Sequence, residues 1–431
     1  MKSIVWTYLI LAAFTLGVWY QSLFNFFAQD DFILLLQFSS GNIAQDFVNA
    51  FGKAEVTHWR PIHNLFFLIS GNLFEKNYFL YHVLILSIHS ASAFFVYLVT
   101  KRLFNQSLVA LASAIFFVIN PAHFVAMYWI SGSAVNIGFL FFIISFYLFI
   151  LKKYLPCFLF FILALLSSEA MLIGIAIYFL YWILNGKEKS KKIILWILSA
   201  VSAIFAFVKL FIFTLPVTYD FYRITLSKET LNTFKYYLTR IFGFAESSGD
   251  TVATFILVIW IILTFAFLLR TLNKSANKHD LIFPLGLVFF GLFPFVLIPG
   301  HLSAHYMVVS VWGISTIFAL ALKNKKMYIF LFLLLSFVLI AIYNVKLSEK
   351  NSWVTKRASL AKYHLERIEK EKVDEHTKIF FENDQLSTSE EAYVALGEGK
   401  ALNFFFPDKN YSYCFSWLFD CSLQEKSLPK N

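Results

Sequence analysis

The sequence predicts an all-α polytopic membrane protein of about eleven transmembrane helices carrying a small α/β domain at its C-terminal end. Three observations carry this. Of 431 residues, 59% are hydrophobic and only 14% are charged, against about 25% charged in an ordinary soluble domain. The apolar residues form runs of about 20, the length that crosses a bilayer core of roughly 30 Å. The basic residues fall at alternate ends of those runs. This composition excludes a soluble enzyme, a disordered scaffold and a nucleic-acid binder despite the net charge of +10, and three cysteines exclude a disulfide-framework protein.

In chain order the runs lie near 4–24, 78–100, 107–127, 133–151, 154–168, 170–185, 193–213, 251–269, 281–299, 304–322 and 327–345. The first has a basic start, but it is long and no small-residue cleavage site follows, so it reads as an uncleaved anchor. The fifth and sixth are short and meet at Ser167-Ser168-Glu169, which reads as a tight hairpin. With the N-terminus cytosolic, the inner positions hold 15 Lys/Arg and two acids, Glu188 and Asp280; the outer loops balance to −2 and the tail from 346 to −1. The basic excess therefore reports orientation, and eleven crossings put the tail outside.

Residues 1–345 thus form the membrane module, with outer loops at 25–77 and 214–250, and 346–431 the exofacial domain. The first loop carries Asp30, Asp31 and His58-Trp59-Arg60-Pro61, then an amphipathic stretch to Phe74 with Pro in its first turn, lying along the membrane surface. The second loop carries Asp220, Arg223, Lys235, Arg240 and Glu246. In the tail, Asn351–Lys372 reads as a charged amphipathic helix, and Thr377–Phe381 and Leu402–Phe406 as short strands. Between them a helix starts near Ser387 and closes at Gly397. Cys414 and Cys421 form a disulfide or remain two buried thiols.

Chemistry points to the outer surface. Asp30 and Asp31 cannot share one helix face; one can enter a cleft and accept a proton from an attacking hydroxyl, since burial raises a carboxyl pKa, while a solvated acidic pair is the plain alternative. Arg60 offers a planar guanidinium that grips phosphate bidentately. Lys209 lies a turn inside an apolar run, where a charge is costly and marks function or else snorkels. Arg240 is a weaker anion partner. Glu169 needs an aqueous cavity or a distant cation unless it is a simple hairpin tip. His301 and His305 have helical metal-ligand spacing without a third ligand, so His305-Tyr306 reads rather as a substrate contact or interface pair, and a metal or other cofactor is not indicated. His58, His82, His89 and His123 default to packing or interfacial roles.

These residues in this order resemble the polytopic C-type (GT-C) glycosyltransferases, with relatives of the protein O-mannosyltransferases and of the tetratricopeptide-bearing transmembrane O-mannosyltransferases nearest in pattern. The likeness rests on Asp30-Asp31 after the first span and on Trp59-Arg60-Pro61-Ile62, followed by a span entered at Tyr81-His82 and left at Lys101-Arg102-Leu103-Phe104. It extends to Asn120-Pro121-Ala122-His123 with Trp129-Ile130-Ser131-Gly132, and to Ser167-Ser168-Glu169; residues 25–185 hold most of it. Ser133 and Ser168 stand where many relatives have Arg and Lys, and no tetratricopeptides follow.

The resemblance implies a GT-C-like fold, a sugar donor on a polyprenyl monophosphate, inversion at the anomeric carbon and an Asp30 or Asp31 base. Arg60 and Lys209 match basic family positions at the donor phosphate; Arg240 joins them as a further candidate, and His58, Trp59, His123, Glu169, His305 and Tyr306 are the candidate cleft residues. Some distant C-type enzymes use a divalent metal; a monophosphate leaving group is served by side-chain cations. The partners are the lipid-linked donor, membrane lipid, and a glycan, lipid or protein acceptor. A compact chain without repeats suits a prokaryotic plasma membrane. Two other classes fit the hydropathy: a transporter or lipid flippase, which would want inverted repeats and broken midplane helices, and a lipid-linked glycan polymerase or ligase, which would want a strongly basic outer cleft.

Overall fold

The computed structural model describes residues 2–52, 58–213, 222–246, 250–274, 278–371, 378–409 and 411–421. Asp220, Thr377 and parts of the second outer loop (214–221, 247–249) lie outside the described residues.

Each apolar run is helical. They are α1 (Lys2–Trp19), α5 (Tyr78–Phe104), α6 (Ser107–Val118) with the short α7 (Phe124–Tyr128), α8 (Ala134–Ile150), α9 (Tyr154–Ser167), α10 (Gly174–Leu184), α11 (Lys189–Phe207), α13 (Thr251–Lys274), α14 (Ile282–Val296), α15 (Val308–Ala321) and α16 (Met327–Asn351). Among the described residues seven helical segments are long and apolar enough to cross a membrane, and α6 with the Pro121–Tyr128 segment makes an eighth, bent by 44°. Tyr154–Ser167, Glu169–Leu184 and Ile282–Val296 are apolar but shorter. Between the runs lie α2 (Asp30–Gln37), α3 (Ile43–Phe51), α4 (Pro61–Phe74) and α12 (Lys228–Ile241).

α15 is buried along its whole length. Lipid is as apolar as leucine, so helices associate through close packing and interhelical hydrogen bonds. Gly313 sits where a Cβ would meet the Pro284 carbonyl at 2.7 Å, and Gly291 where one would meet Ser310 Oγ at 2.3 Å, so α14 and α15 touch through glycine. Ser113 and Thr316 bond across α6 and α15 at 2.9 Å. Aromatic side chains fill the remaining volume, as where Phe116, Trp260, Phe318 and Phe337 interlock. Exposed Trp6, Leu155, Trp196, Phe211 and Phe332 form an apolar perimeter.

The bend at Asn120-Pro121 breaks a helix inside the bundle, and freed backbone groups there need partners. Trp19 Nε1 donates to the Val118 carbonyl at 2.8 Å, and His89 Nε2 lies 3.0 Å from the same oxygen. His82 sits between the carbonyls of Met127 (3.0 Å) and Asn25 (3.1 Å), fixing the chain that leaves α1.

Beyond α16 come α17 (Trp353–Lys370), β1 (Lys378–Phe381), α18 (Ser389–Ala395), α19 (Lys400–Phe405) and β2 (Ser412–Phe415), the two strands pairing in parallel. Leu402–Phe406, expected as a strand, is instead mostly helix: Gly399 at φ +85° starts α19, and its aromatic residues pack on other rings rather than on a strand. Phe404 and Phe405 interlock with Phe26, Phe27 and Phe32 around α2, so α19 packs against the segment that follows α1. Cys414 and Cys421 are disulfide-bonded.

Candidate active site

Asp30 and Asp31 open α2 after Gln29, whose φ of +55° turns the chain sharply into the helix. The Gln29 N–H donates to the Ala395 carbonyl at the end of α18 (3.1 Å). A Cβ on Gly397 would stand 2.6 Å from the Gln29 carbonyl, so only glycine, here at φ +55°, lets this turn approach.

The two carboxylates part company at once. Asp31 is buried; its Oδ2 accepts from the Ala28 N–H (3.0 Å) and its Oδ1 from the Ser131 N–H (2.8 Å) and hydroxyl (2.6 Å). It ties α2 to the segment before α8. Asp30 faces a cavity of about 440 Å³, and among the described residues no donor lies within hydrogen-bonding distance of its carboxylate. Burial pushes its carboxyl up to about 6, partly offset by Arg60.

Arg60 precedes Pro61, the first residue of α4, so its backbone is held out of the helical region and its side chain lines the cavity wall. Its Nε and Nη2 grip Glu169 at 2.9 and 2.5 Å. Lys209 lies in a π-helical turn (Val208–Ile212) that extends α11, a local underwinding frequent at functional sites. Its Nζ donates to the Trp59 carbonyl (2.8 Å) and to Glu169 (3.4 Å). Two cations thus share one carboxylate, and the cluster keeps one positive charge. Trp59 stacks on Phe213 at 4.4 Å and clamps this corner.

Opposite runs a chain of imidazoles and phenols. His58 Nε2 lies 3.0 Å from the Tyr222 hydroxyl, the Tyr222 ring lies tilted against His301 at 4.7 Å, and His301 Nε2 lies 3.2 Å from the Tyr306 hydroxyl. His305 Nδ1 pairs with Ser303 Oγ at 2.6 Å. Burial, reinforced by Arg60, holds His58 and His63 down at about 3, so both are neutral.

Asp30, His58, Arg60, His305 and Tyr306 therefore line one cavity, with Trp59, Lys209 and Glu169 behind Arg60. Three residues lie elsewhere. Asp31 is behind Asp30. His123 is buried between His89 (4.5 Å) and Phe117 (4.8 Å). Arg240 pairs with Glu246 and lies over Tyr236. His301 and His305 turn to different partners, and among the described residues no three His, Cys, Asp or Glu side chains gather as metal ligands.

The cavity also holds residues that sequence reasoning passed over: His63, Asn64, Tyr222, and from beyond α16 Trp353, Arg357 and Glu398. Arg357 donates to the Gln29 side chain (3.1 Å) and to both oxygens of Glu391, over the Trp353 ring. The i, i+4 spacing of Trp353 and Arg357 was the available signal.

No family model matches the chain, and no curated protein matches its sequence. Among solved structures it is similar to the apo oligosaccharyltransferase of Archaeoglobus fulgidus, with 12% identity, a TM-score of 0.47, and coverage of 92% of this chain and 64% of that one. It is also similar to the archaeal oligosaccharyltransferase AglB from Archaeoglobus fulgidus in complex with an inhibitory peptide and a dolichol-phosphate. There identity is 14%, the TM-score 0.36, and coverage 95% of this chain and 56% of that one. The chain thus spans less than two thirds of the length of either protein.

Proposed function

We propose that the protein is a membrane glycosyltransferase that moves a sugar from a polyprenyl-monophosphate donor to an acceptor hydroxyl with inversion, Asp30 acting as general base. The observation that carries this reading is the division between the adjacent carboxylates. Asp31 is satisfied by Ser131 and Ala28, whereas Asp30 faces a cavity beside Arg60 with its pKa raised to about 6. A base with a pKa close below the working pH is both deprotonated and basic enough to act.

In the proposed step the acceptor oxygen attacks the anomeric carbon from the face opposite the phosphate. Its proton passes to a carboxylate oxygen of Asp30 as the bond between the anomeric carbon and the phosphate oxygen breaks, and the leaving phosphate keeps the electron pair. The positive charge left over from Arg60, Lys209 and Glu169 stabilises that phosphate, an arrangement fixed before the reaction begins. Neutral His58 and His63 offer hydrogen bonds to sugar hydroxyls without competing for the phosphate charge. A lipid-linked donor has to arrive from the bilayer, which suits a catalyst built from apolar helices. The disulfide and the charge asymmetry favour a site on the outer face, with the N-terminus cytosolic.

The test is proteoliposomes supplied with synthetic polyprenyl-phosphate mannose or glucose together with an extract of surface acceptors. Wild type releases polyprenyl monophosphate and Asp30→Asn does not. Full turnover by Asp30→Asn would sink the assignment.

A further inference from the structure

A second cavity, of about 660 Å³, adjoins the first and shares two of its walls, Trp353 and Arg357. It lies between the end of α16, the outer face of α17 and the segment entering α18, and is also lined by Ser359, Tyr363, Ser387 and Glu391. Its size suits a ligand of several rings. Resting on the glycosyltransferase reading above, we infer that this second cavity is an acceptor subsite for a saccharide chain. The chain's terminal hydroxyl enters the Asp30 cavity, and its preceding sugars lie across Trp353 and Arg357.

The lining argues for the ligand class. The Ser359 and Ser387 hydroxyls and the Asn351 carboxamide share the wall with the Trp353 and Tyr363 rings and with Leu360 and Leu386, and Tyr363 is exposed. An acyl chain laid over this mixed wall would cover the leucines and rings but leave the Ser359, Ser387 and Asn351 side chains without partners, which a polyhydroxylated ligand would supply. Three cations (Lys350, Lys356, Arg357) face two carboxylates (Glu349, Glu391), so the wall is nearly charge-balanced. Arg357 is spoken for by Glu391 and Gln29, and Glu349 accepts from the Tyr128 hydroxyl. No strong field remains to select an ionic peptide motif. Polyhydroxylated rings with apolar faces match what is left: hydroxyls for the polar groups, ring faces for the aromatics.

The shared wall also gives a route. Arg357 bonds the side chain of Gln29, the residue before Asp30. A chain seated in the second cavity therefore passes directly over the loop that carries the base.

The experiment compares cells carrying wild type, Asp30→Asn, Ser359→Trp and Lys362→Trp. Linkage analysis of surface polysaccharide is run beside glycopeptide mass spectrometry, with membrane levels of each variant matched by immunoblot. Ser359→Trp fills the second cavity from an exposed helix position, and Lys362 lies on the same helix away from it. The expected result is that Asp30→Asn removes one polysaccharide linkage entirely, Ser359→Trp lowers it about tenfold, and Lys362→Trp leaves it intact. A linkage unchanged by Ser359→Trp but lost in Asp30→Asn overturns the subsite alone. Loss of glycopeptides with polysaccharide untouched overturns the saccharide acceptor. Wild-type glycans in Asp30→Asn overturn the underlying reading instead.

Discussion

Asp30 and Asp31 are neighbours in sequence with opposite circumstances, and their variants separate cleanly. Asp30→Asn removes the proposed base and costs roughly 10²- to 10⁴-fold in transfer, with the melting temperature in detergent unchanged, because among the described residues the carboxylate has no hydrogen-bond partner to lose. Asp31→Asn sets an amide NH₂ against a backbone N–H at Ala28 or Ser131. It costs about 1–3 kcal/mol of stability, read as a lower melting temperature. Asp30 must be deprotonated to act, and its pKa is raised to about 6. Transfer at limiting donor (kcat/KM) therefore falls about tenfold per pH unit below that value and is flat above it; a kcat/KM independent of pH between 5 and 7 would count against Asp30. The sequence made the pair conspicuous but left the choice open, because the residue that decides it, Ser131, is 100 positions away.

At the scale of elements, apolar run length was legible and close approach was not. Every run became helix, since 20 apolar residues satisfy their backbone only that way in lipid. The Phe-rich stretch near 402 looked like a strand by composition; it became α19 because its rings found Phe26, Phe27 and Phe32 on another element. Two glycines show what pattern reading cannot weigh. Gly313→Val would drive α15 against the Pro284 backbone and Val288, and the expected outcome is a sharp loss of folded protein in size-exclusion profiles. Gly397→Ala would push on the Gln29 carbonyl from a strained positive φ. Because Gln29 precedes Asp30, the expected outcome is a loss of transfer larger than the fall in melting temperature, measured on the same preparation.

Across the whole molecule, the sequence sorted charge by side and so proposed an orientation. Reporter fusions at 186 and 324 should behave as cytosolic and a fusion after 421 as external, read by fluorescent-protein signal against alkaline phosphatase activity. What the sequence could not disclose is that both ends of the chain meet at the cavity. Arg60 finds Glu169 at 109 positions' distance and Arg357 finds Gln29 at 328. Contacts of that separation leave no local pattern, and they brought Trp353, Arg357 and Glu398 to a cavity of which the sequence had singled out Asp30, His58, Arg60, His305 and Tyr306.

The bond between Arg357 and Gln29 has a consequence in time. A ribosome adding about 5–20 residues each second needs on the order of tens of seconds to cover the 328 positions between them. Through that interval the acidic loop is already made while its supports from α17 and α18 are not. On the proposed reading the nascent chain therefore holds Asp30 without the geometry to use it, and chains arrested before 357 would be inert towards the proposed lipid-linked donor.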